Sequence, residues 1–437
     1  MTPQKIIRDY LILIGLYTLS ASLIWGVNTL FLLDAGLDIL GVFIANASFS
    51  AGMALFEIPT GVLADTRGRR ASFLLSIAIL AFGTIGYLLV AENGGNLTLF
   101  IVASVVMGLG YTFYSGAMEA WLVDALQATN HEGSLDAIFA RSALISGAAM
   151  LLGTVGGGFI GDWDLAFPFI GRVLLLVLVF LFAYVRMHDI GYEPQAVSLN
   201  SLPSEMKKIA RAGISFGWQQ QPVRLLMIVS AVQAGFMAWG FYAWQPYFLD
   251  LLGQDLIWVS GVMSALVALA MMVGNEIVSW LTKYCGKRST LMLWATAVFT
   301  AGSIGVGLAN SFWLAATFFL LAMVALGVMG PVQQAFLHQL IPSAQRATIV
   351  SFNSMISSGI SIGSQSGLGW LAQNRSIASG YVSGGLVTTI TLPLLLWLRR
   401  LNNEADVIVG EASQQGACAA QGLPNVAHVE TGTAVSG

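Results

Sequence analysis

Residues 39–92 read ILGVFIANASFSAGMALFEIPTGVLADTRGRRASFLLSIAILAFGTIGYLLVAE. Two apolar runs, 40–63 and 71–91, flank the polar turn Ala64-Asp65-Thr66-Arg67-Gly68-Arg69-Arg70. Each run reaches the roughly 20 residues that an α-helix needs to cross a hydrocarbon core. Neither shows the alternation over about ten residues that marks a membrane barrel strand. The same rhythm continues in both directions and predicts twelve spans: 10–33, 40–63, 71–91, 98–122, 138–160, 167–188, 223–249, 257–281, 289–309, 312–337, 346–371 and 377–399. Composition points the same way. Of 437 residues, 56% are hydrophobic and 9% charged, whereas a soluble domain carries about 25% charged residues.

The longest internal polar stretch, 189–222, divides six spans from six. The expected organisation is therefore an all-α integral membrane protein with an N-terminal six-helix bundle at 1–188 and a cytoplasmic linker at 189–222. A second bundle follows at 223–400, and a disordered cytoplasmic tail without Lys or Arg at 401–437. Within the linker, 205–216 is expected to form a short amphipathic helix on the membrane surface. Lys and Arg are retained on the cytoplasmic side of a membrane. With the N-terminus inside, 17 of the 19 cations fall at inner segments and helix mouths, and only Arg172 and Arg375 fall outside. Both termini are thus expected in the cytoplasm, with the chain in the inner (plasma) membrane and its first helix an uncleaved anchor.

Several function classes lose their basis. A formal net charge of −3 offers no basic field for nucleic acid. The two cysteines, Cys285 and Cys418, make neither a disulfide framework nor a metal site. No G-x-x-x-x-G-K-[ST] run is present to cradle a nucleotide. No cofactor is expected. A membrane-embedded enzyme or respiratory subunit would need a nucleophile with its base, or a His/Cys/Asp cluster, near a helix mouth, and neither stands out.

Gly68-Arg69-Arg70 after the second span has a counterpart in Gly286-Lys287-Arg288 after the eighth, 218 residues on, which reads as a diverged repeat of the two halves. Parallel halves of this kind can rock around a central cavity. Gly61-Val62-Leu63-Ala64-Asp65-Thr66-Arg67-Gly68-Arg69-Arg70 resembles the G-x-L-x-D-x-x-G-R-K/R signature of the major facilitator superfamily. Glu57-Ile58-Pro59-Thr60-Gly61 and Arg346-Ala347-Thr348 also fit that family, and the resemblance covers residues 1–400. It implies an inner gate in which Gly61 admits a neighbouring helix and Asp65 meets the N-terminus of the eleventh span at Arg346. In that gate Gly68 permits the turn, and Arg67, Arg69 and Arg70 pair with acids and lipid phosphate. Gly153-Thr154-Val155-Gly156-Gly157-Gly158 is similar to the G-P-x-x-G-G run of antiporters in the family, with Thr154 in place of proline. It reads equally as a glycine face for close helix packing. The arginine often found in the fourth span of proton-coupled exporters is replaced by Ser104.

Trp25, Met53, Tyr111, Tyr114, Met150, Trp239 and Tyr242 fall at middle depths. They are candidates for a pocket that holds an apolar or cationic organic molecule, although rings in membrane helices also serve as packing. Asn28, Gln233 and Asn353 are candidate hydrogen-bonding partners in the same cavity. Three acids inside spans, Glu119, Glu276 and Glu57, are candidate proton carriers, since carboxylates in a membrane are usually kept for function. Glu119 ranks first because Tyr111, Ser115 and Glu119 would share one helix face. The expected function is a proton-coupled exporter of small organic compounds, with nutrient uptake by symport as the alternative; its partners are solute, protons and lipid. The topology predicts that single cysteines near Asp164 and Asp255 react with an impermeant maleimide added to intact cells, whereas Cys285 does not. Labelling of Cys285 would overturn that orientation.

Overall fold

The computed structural model describes residues 1–131, 133–192, 207, 211, 213–254, 256–342 and 346–408, without the side chains of Val62, Asp65, Phe216, Arg346, Ala347 and Thr348. Among the described residues the fold is all helical. The first half comprises α1 (Pro3–Ser22), α2 (Asn28–Asp34), α3 (Ile39–Arg67), α4 (Arg69–Glu92), α5 (Leu97–Tyr114), α6 (Ala117–Ala128), α7 (Leu135–Gly161) and α8 (Phe167–Arg186). The second comprises α9 (Gln221–Leu252), α10 (Ile257–Leu281), α11 (Arg288–Leu308), α12 (Phe312–Leu340), α13 (Arg346–Asn374), α14 (Ile377–Thr388) and α15 (Thr391–Arg400). The chain sets many helix starts locally. Asp38, Asn96, Ser134 and Ser376 accept the first free backbone N–H groups of α3, α5, α7 and α14. Proline occupies the opening turn of α1, α8 and α9, where its missing N–H costs nothing.

Among the described residues, ten stretches are long and apolar enough to cross a membrane. The other two expected spans are helical but depart from that pattern. Span 10–33 is interrupted at 23–27, between α1 and α2. Span 346–371, in α13, is rich in serine and carries Asn353 and Gln365, because it packs between α3 and α9 instead of facing lipid along its whole girth. Spans 98–122 and 377–399 are also broken, at 115–116 and 389–390. At the first of these breaks Gly116 adopts φ 75°. Tyr111, Ser115 and Glu119 therefore do not share a continuous helix face, which corrects the expectation from spacing.

The halves repeat in three dimensions. In the first, α3 and α4 pack on α5, α1 on α7, and α4 on α8; in the second, α10 and α11 pack on α12, α9 on α13, and α11 on α14. Each half has its own buried core, with Phe43 of α3 reaching into the second. A further pair of equivalent contacts closes each half. Asp189, just past α8, accepts the backbone N–H of Arg70 at 2.8 Å and so caps α4 from outside the helix. Gly68 has φ 102°, and a Cβ there would lie 2.4 Å from the Asp189 carboxylate, so only glycine admits the cap. Arg70 donates to the Tyr184 carbonyl at 2.8 Å and lies over the Tyr184 ring, while Arg69 pairs with Asp124 at 3.7 Å.

Asp406, past α15, does the same for α11. Its buried carboxylate accepts from Ser289 N at 2.7 Å and Ser289 Oγ at 2.6 Å, and Arg288 donates to the carbonyls of Ala405 and Val407. Asp189 and Asp406 stand 217 residues apart, one fewer than the two Gly-basic-basic triplets. The expected disordered tail is thus corrected for 401–408, which forms a 3-10 turn at Glu404–Asp406 and docks on the α10–α11 loop. Residues 409–437 and half of 205–216 lie outside the described residues. Of that stretch and its neighbours, Gly213–Trp218 is π-helical.

Asp406→Ala strips the N–H and hydroxyl of Ser289 of their acceptor. The expected cost is about 1–3 kcal/mol, read as a lowered Tm in detergent, with Asp406→Asn milder because one acceptor survives. An unchanged Tm in both variants would show that the docked segment contributes nothing.

Candidate functional site

Both ends of the described chain lie at one end of the bundle, the termini end; the loops at 35–38, 162–166 and 253–256 lie at the far end. The two halves meet through α2 with α9, α7 with α10, and α3 with α13. At the far end this seam is tight. The break at 23–27 leaves main-chain groups of the first span without helical partners, and Gln245 of α9 supplies them across the seam. Its side chain donates to the Trp25 carbonyl at 2.8 Å and accepts from Thr29 N at 3.0 Å, and it is fully buried. Thr29 Oγ1 in turn donates to the Tyr242 carbonyl at 3.0 Å. Asp162 caps α10 by accepting from Ile257 N at 3.0 Å, and Phe159 stacks on Trp258. Beneath them a methyl group on Gly158 would lie 2.6 Å from the Gly261 Cα, so the α7 and α10 backbones touch. Gly153 and Gly157 of the 153–158 run are thus contact points against the end of α1 and Gly158 against α10, while a Cβ on Gly156 would meet nothing within 4 Å and Thr154 beside them faces the cavity.

Below the seal lies a cavity of about 960 Å³ walled by both halves. Its walls toward the far end are buried, among them Asn28, Asn46, Tyr87, Arg172 and Trp244. Toward the termini end they open, with Tyr111 at 41% and Met272 at 42% exposure. The cavity is therefore closed at one end and reachable from the other.

Of the residues expected in such a pocket, Trp25, Asn28, Met53, Tyr111, Met150 and Tyr242 line it. Four do not, and each has a packing reason. Tyr114 stacks flat behind Tyr17, with ring centroids 3.7 Å apart. Trp239 is buried among Phe43, Phe236 and Tyr381 in the second core. Gln233 donates to Thr296 of α11 at 3.0 Å inside the same half. Asn353 lies on α13 away from the cavity wall.

Sequence reasoning missed Tyr17, Asn46, Tyr87, Trp244 and above all Arg172, all of which line the cavity. The count of cations placed Arg172 on the outer side, at the start of span 167–188, but did not single it out as a site residue. The residue lies within α8, 8% exposed, in the electrostatic neighbourhood of Tyr17, Tyr87 and Tyr242. The available signal was a charge between apolar runs, because an ionised side chain inside a span is by default a candidate for function. Ser104, at the position of the missing arginine, hydrogen bonds to Tyr87 at 2.6 Å.

Glu57, Glu119 and Glu276 are all exposed in this conformer; Glu119 lies among the described residues of α6. It opens α6 beyond the Gly116 break, in the neighbourhood of Tyr10 and Tyr114. Glu57 stands one turn beyond Met53 on α3, on the line from Asn46 and Met53 toward the termini end. The gate residues separate. Arg67 is exposed, Gly68, Arg69 and Arg70 form the cap described above, and the side chains of Asp65 and Arg346 lie outside the described residues. Among the described residues, a Cβ on Gly61 would meet nothing within 4 Å. The close contact expected there is absent because this end of the seam is the open one.

The geometry makes Gln245 a latch. Gln245→Ala should destabilise the closed far end by about 1–3 kcal/mol through two unpaired main-chain groups. In a Cys285→Ser, Cys418→Ser background, Ser264→Cys in the cavity should then react faster with an impermeant maleimide added on the far side. An unaltered rate would remove Gln245 from the closure.

Similar proteins place this architecture. A protein of Bacillus subtilis (strain 168) named as an uncharacterized MFS-type transporter, YxaM, is 22% identical over 343 residues, spanning 74% of this chain and 79% of that protein. A second from the same organism, named as a putative niacin/nicotinamide transporter, NiaP, is 25% identical over 308 residues, 68% of this chain and 71% of that one. The crystal structure of the nucleoside transporter NupG superposes with a TM-score of 0.74 at 10% identity, covering 90% of this chain and 98% of that one. That likeness concerns the fold. The family described as Major Facilitator Superfamily matches residues 10–364, and with two packed halves around a cavity at their seam the assignment is plain: this chain belongs to the major facilitator superfamily of membrane transporters.

Proposed function

We propose that the protein exports a small organic solute from the cytoplasm by alternating access, driven by protons. The observation that carries this reading is the cavity between the halves, sealed at the far end and open at the end bearing the termini. The excess of Lys and Arg assigns the termini end to the cytoplasm, which makes this conformer inward-open. Aromatic walls and adaptable methionines suit a ring-bearing or apolar solute. The direction rests on the likeness of residues 153–158 to the antiporter run, whose glycines here form the hinge-like contact of α7 with α1 and α10.

Proton coupling falls to acids outside the solute cavity, because its described walls hold no carboxylate. Glu119, Glu276 and Glu57 are exposed in this conformer and would be enclosed when the inner side closes, and enclosure favours the protonated form. Asp65 and the start of α13 would form the inner latch, opposing the outer one at Gln245. A contact of that kind shifts the two states only by the energy it has in one and lacks in the other.

A thermal-shift screen over antibiotics, dyes, sugars and organic acids selects a solute for transport. Inverted vesicles made acid inside should then accumulate it. Glu119→Gln should abolish that accumulation while counterflow exchange survives. Accumulation only under the opposite gradient would replace export by uptake, and full accumulation by the mutant would remove Glu119 from the coupling.

A further inference from the structure

The charge of the cavity is one-sided. Among its described lining residues Arg172 is the single ionisable side chain of Asp, Glu, Lys, Arg or His type. Arg172 makes no hydrogen bond or ion pair to any described residue, and its buried Nε has no partner. A guanidinium keeps its charge inside a protein and has donors but no acceptor. Burying it unpaired is costly, and the surrounding phenols of Tyr17, Tyr87 and Tyr242 offer dipoles without a countercharge. Two more buried donors of the same cavity wall lack acceptors: the indole Nε1 of Trp244 and the amide Nδ2 of Asn46, whose oxygen is engaged by Asn28 at 3.1 Å. Among the described lining residues, no buried side-chain acceptor is left without a donor. The wall is short of acceptors and of one negative charge.

We infer that the cavity takes an organic monoanion, a carboxylate on an aromatic or apolar body, with Arg172 as its anchor. A guanidinium matches a carboxylate with two parallel N–H donors, and the rings of Trp25, Tyr87, Tyr242 and Trp244 flank that end of the cavity. One cation and no second basic group fit a single negative charge better than a phosphate dianion. The cationic solutes that aromatic walls alone would suggest are disfavoured by Arg172. The residues involved come from both halves, Arg172 and Tyr87 from the first and Tyr242 and Trp244 from the second, so a bound anion would bridge the seam just below the Gln245 latch. An anion leaving the cytoplasm also moves with the inside-negative potential. This inference rests on the carrier reading for the fate of the solute, but not for its chemistry.

The test uses the full-length protein in detergent and matched probes: benzoate, 2-naphthoate and indole-3-acetate, each beside its carboxamide, with benzylamine and phenyl phosphate. Calorimetric titration should give the carboxylates at least roughly tenfold tighter binding than their carboxamides, the size expected for a charge-assisted pair. Arg172→Gln should erase that preference, while Arg172→Lys, which keeps the charge but loses the fork, should retain part of it. The preference in the wild-type protein decides the question even if Arg172→Gln fails to fold. Equal binding of acid and amide, absence of carboxylate binding, or preference for benzylamine or phenyl phosphate would overturn the inference. Transport in proteoliposomes separates the two readings: flux of an amide or amine without the acids sinks the anion assignment and leaves the carrier standing. Arg172-dependent binding of acids with no flux of any probe does the reverse.

Discussion

Where a helix breaks inside a hydrocarbon slab, its freed backbone groups must find partners within the protein, because no water is there to take them. The first span breaks at 23–27, and the partner is the side chain of Gln245 from the other half. One amide thereby satisfies a local defect and joins two bundles whose cores are separate except where Phe43 of α3 packs into the second. The Asp162 cap on α10 and the glycine contact between α7 and α10 extend the same seam. The closed far end, and with it the one-sided access of the cavity, follows from these few contacts.

These contacts are also of the right strength to be reversed. A net hydrogen bond contributes about 0.5–1.5 kcal/mol, so a seam of a few such bonds with the ring contacts Phe159–Trp258 and Phe43–Trp239 can be opened by differential binding. The contacts within each half differ in kind. The buried Asp9 carboxylate pairs with Arg186 at 3.1 Å and ties α1 to α8, and the capping acids Asp189 and Asp406 tie the end of each half to the start of its third span. Each half is therefore a closed unit with strong internal ties, and the junction between the units is the weak element. Rigid halves around a labile seam are the mechanical requirement for rocking motion.

The two capping acids also explain the repeat. The Gly-basic-basic triplets were visible in the chain as a periodic coincidence, but their meaning depends on Asp189 and Asp406, each more than a hundred residues from the helix start it caps. Arg70 and Arg288 serve the same local purpose in the two halves by reaching carbonyls beside that acid. The second triplet is held by a segment that composition had assigned to a disordered tail. A single buried carboxylate with three neighbouring carbonyl and hydroxyl contacts outweighs the low hydrophobicity of 401–408.

Much of the architecture was legible without coordinates, for a definite reason. In a membrane the solvent itself demands long apolar helices, so hydropathy alone determines how many spans to expect, where the halves divide and which end carries the cations. The family signature at 61–70 followed from residue type and spacing. The site was legible only in part. Trp25, Asn28, Met53, Tyr111, Met150 and Tyr242 line the cavity, but the equally aromatic Trp239 and Tyr114 are packed away, because depth in a span says nothing of the side on which a helix meets its neighbour. The break at Gly116 removed the periodic argument for Glu119, since face-sharing at i, i+4 and i+8 holds only along an unbroken helix. Arg172 was counted on the outer side at the start of span 167–188, and only packing revealed it as a buried charge without a counterion among the described residues. The sequence by itself determined the class, the spans and the family, because local hydropathy and short spacings decide them. The cavity, the Gln245 latch and the sign of the site's charge were decided by tertiary structure, because each depends on which faces of distant helices the two halves bring together.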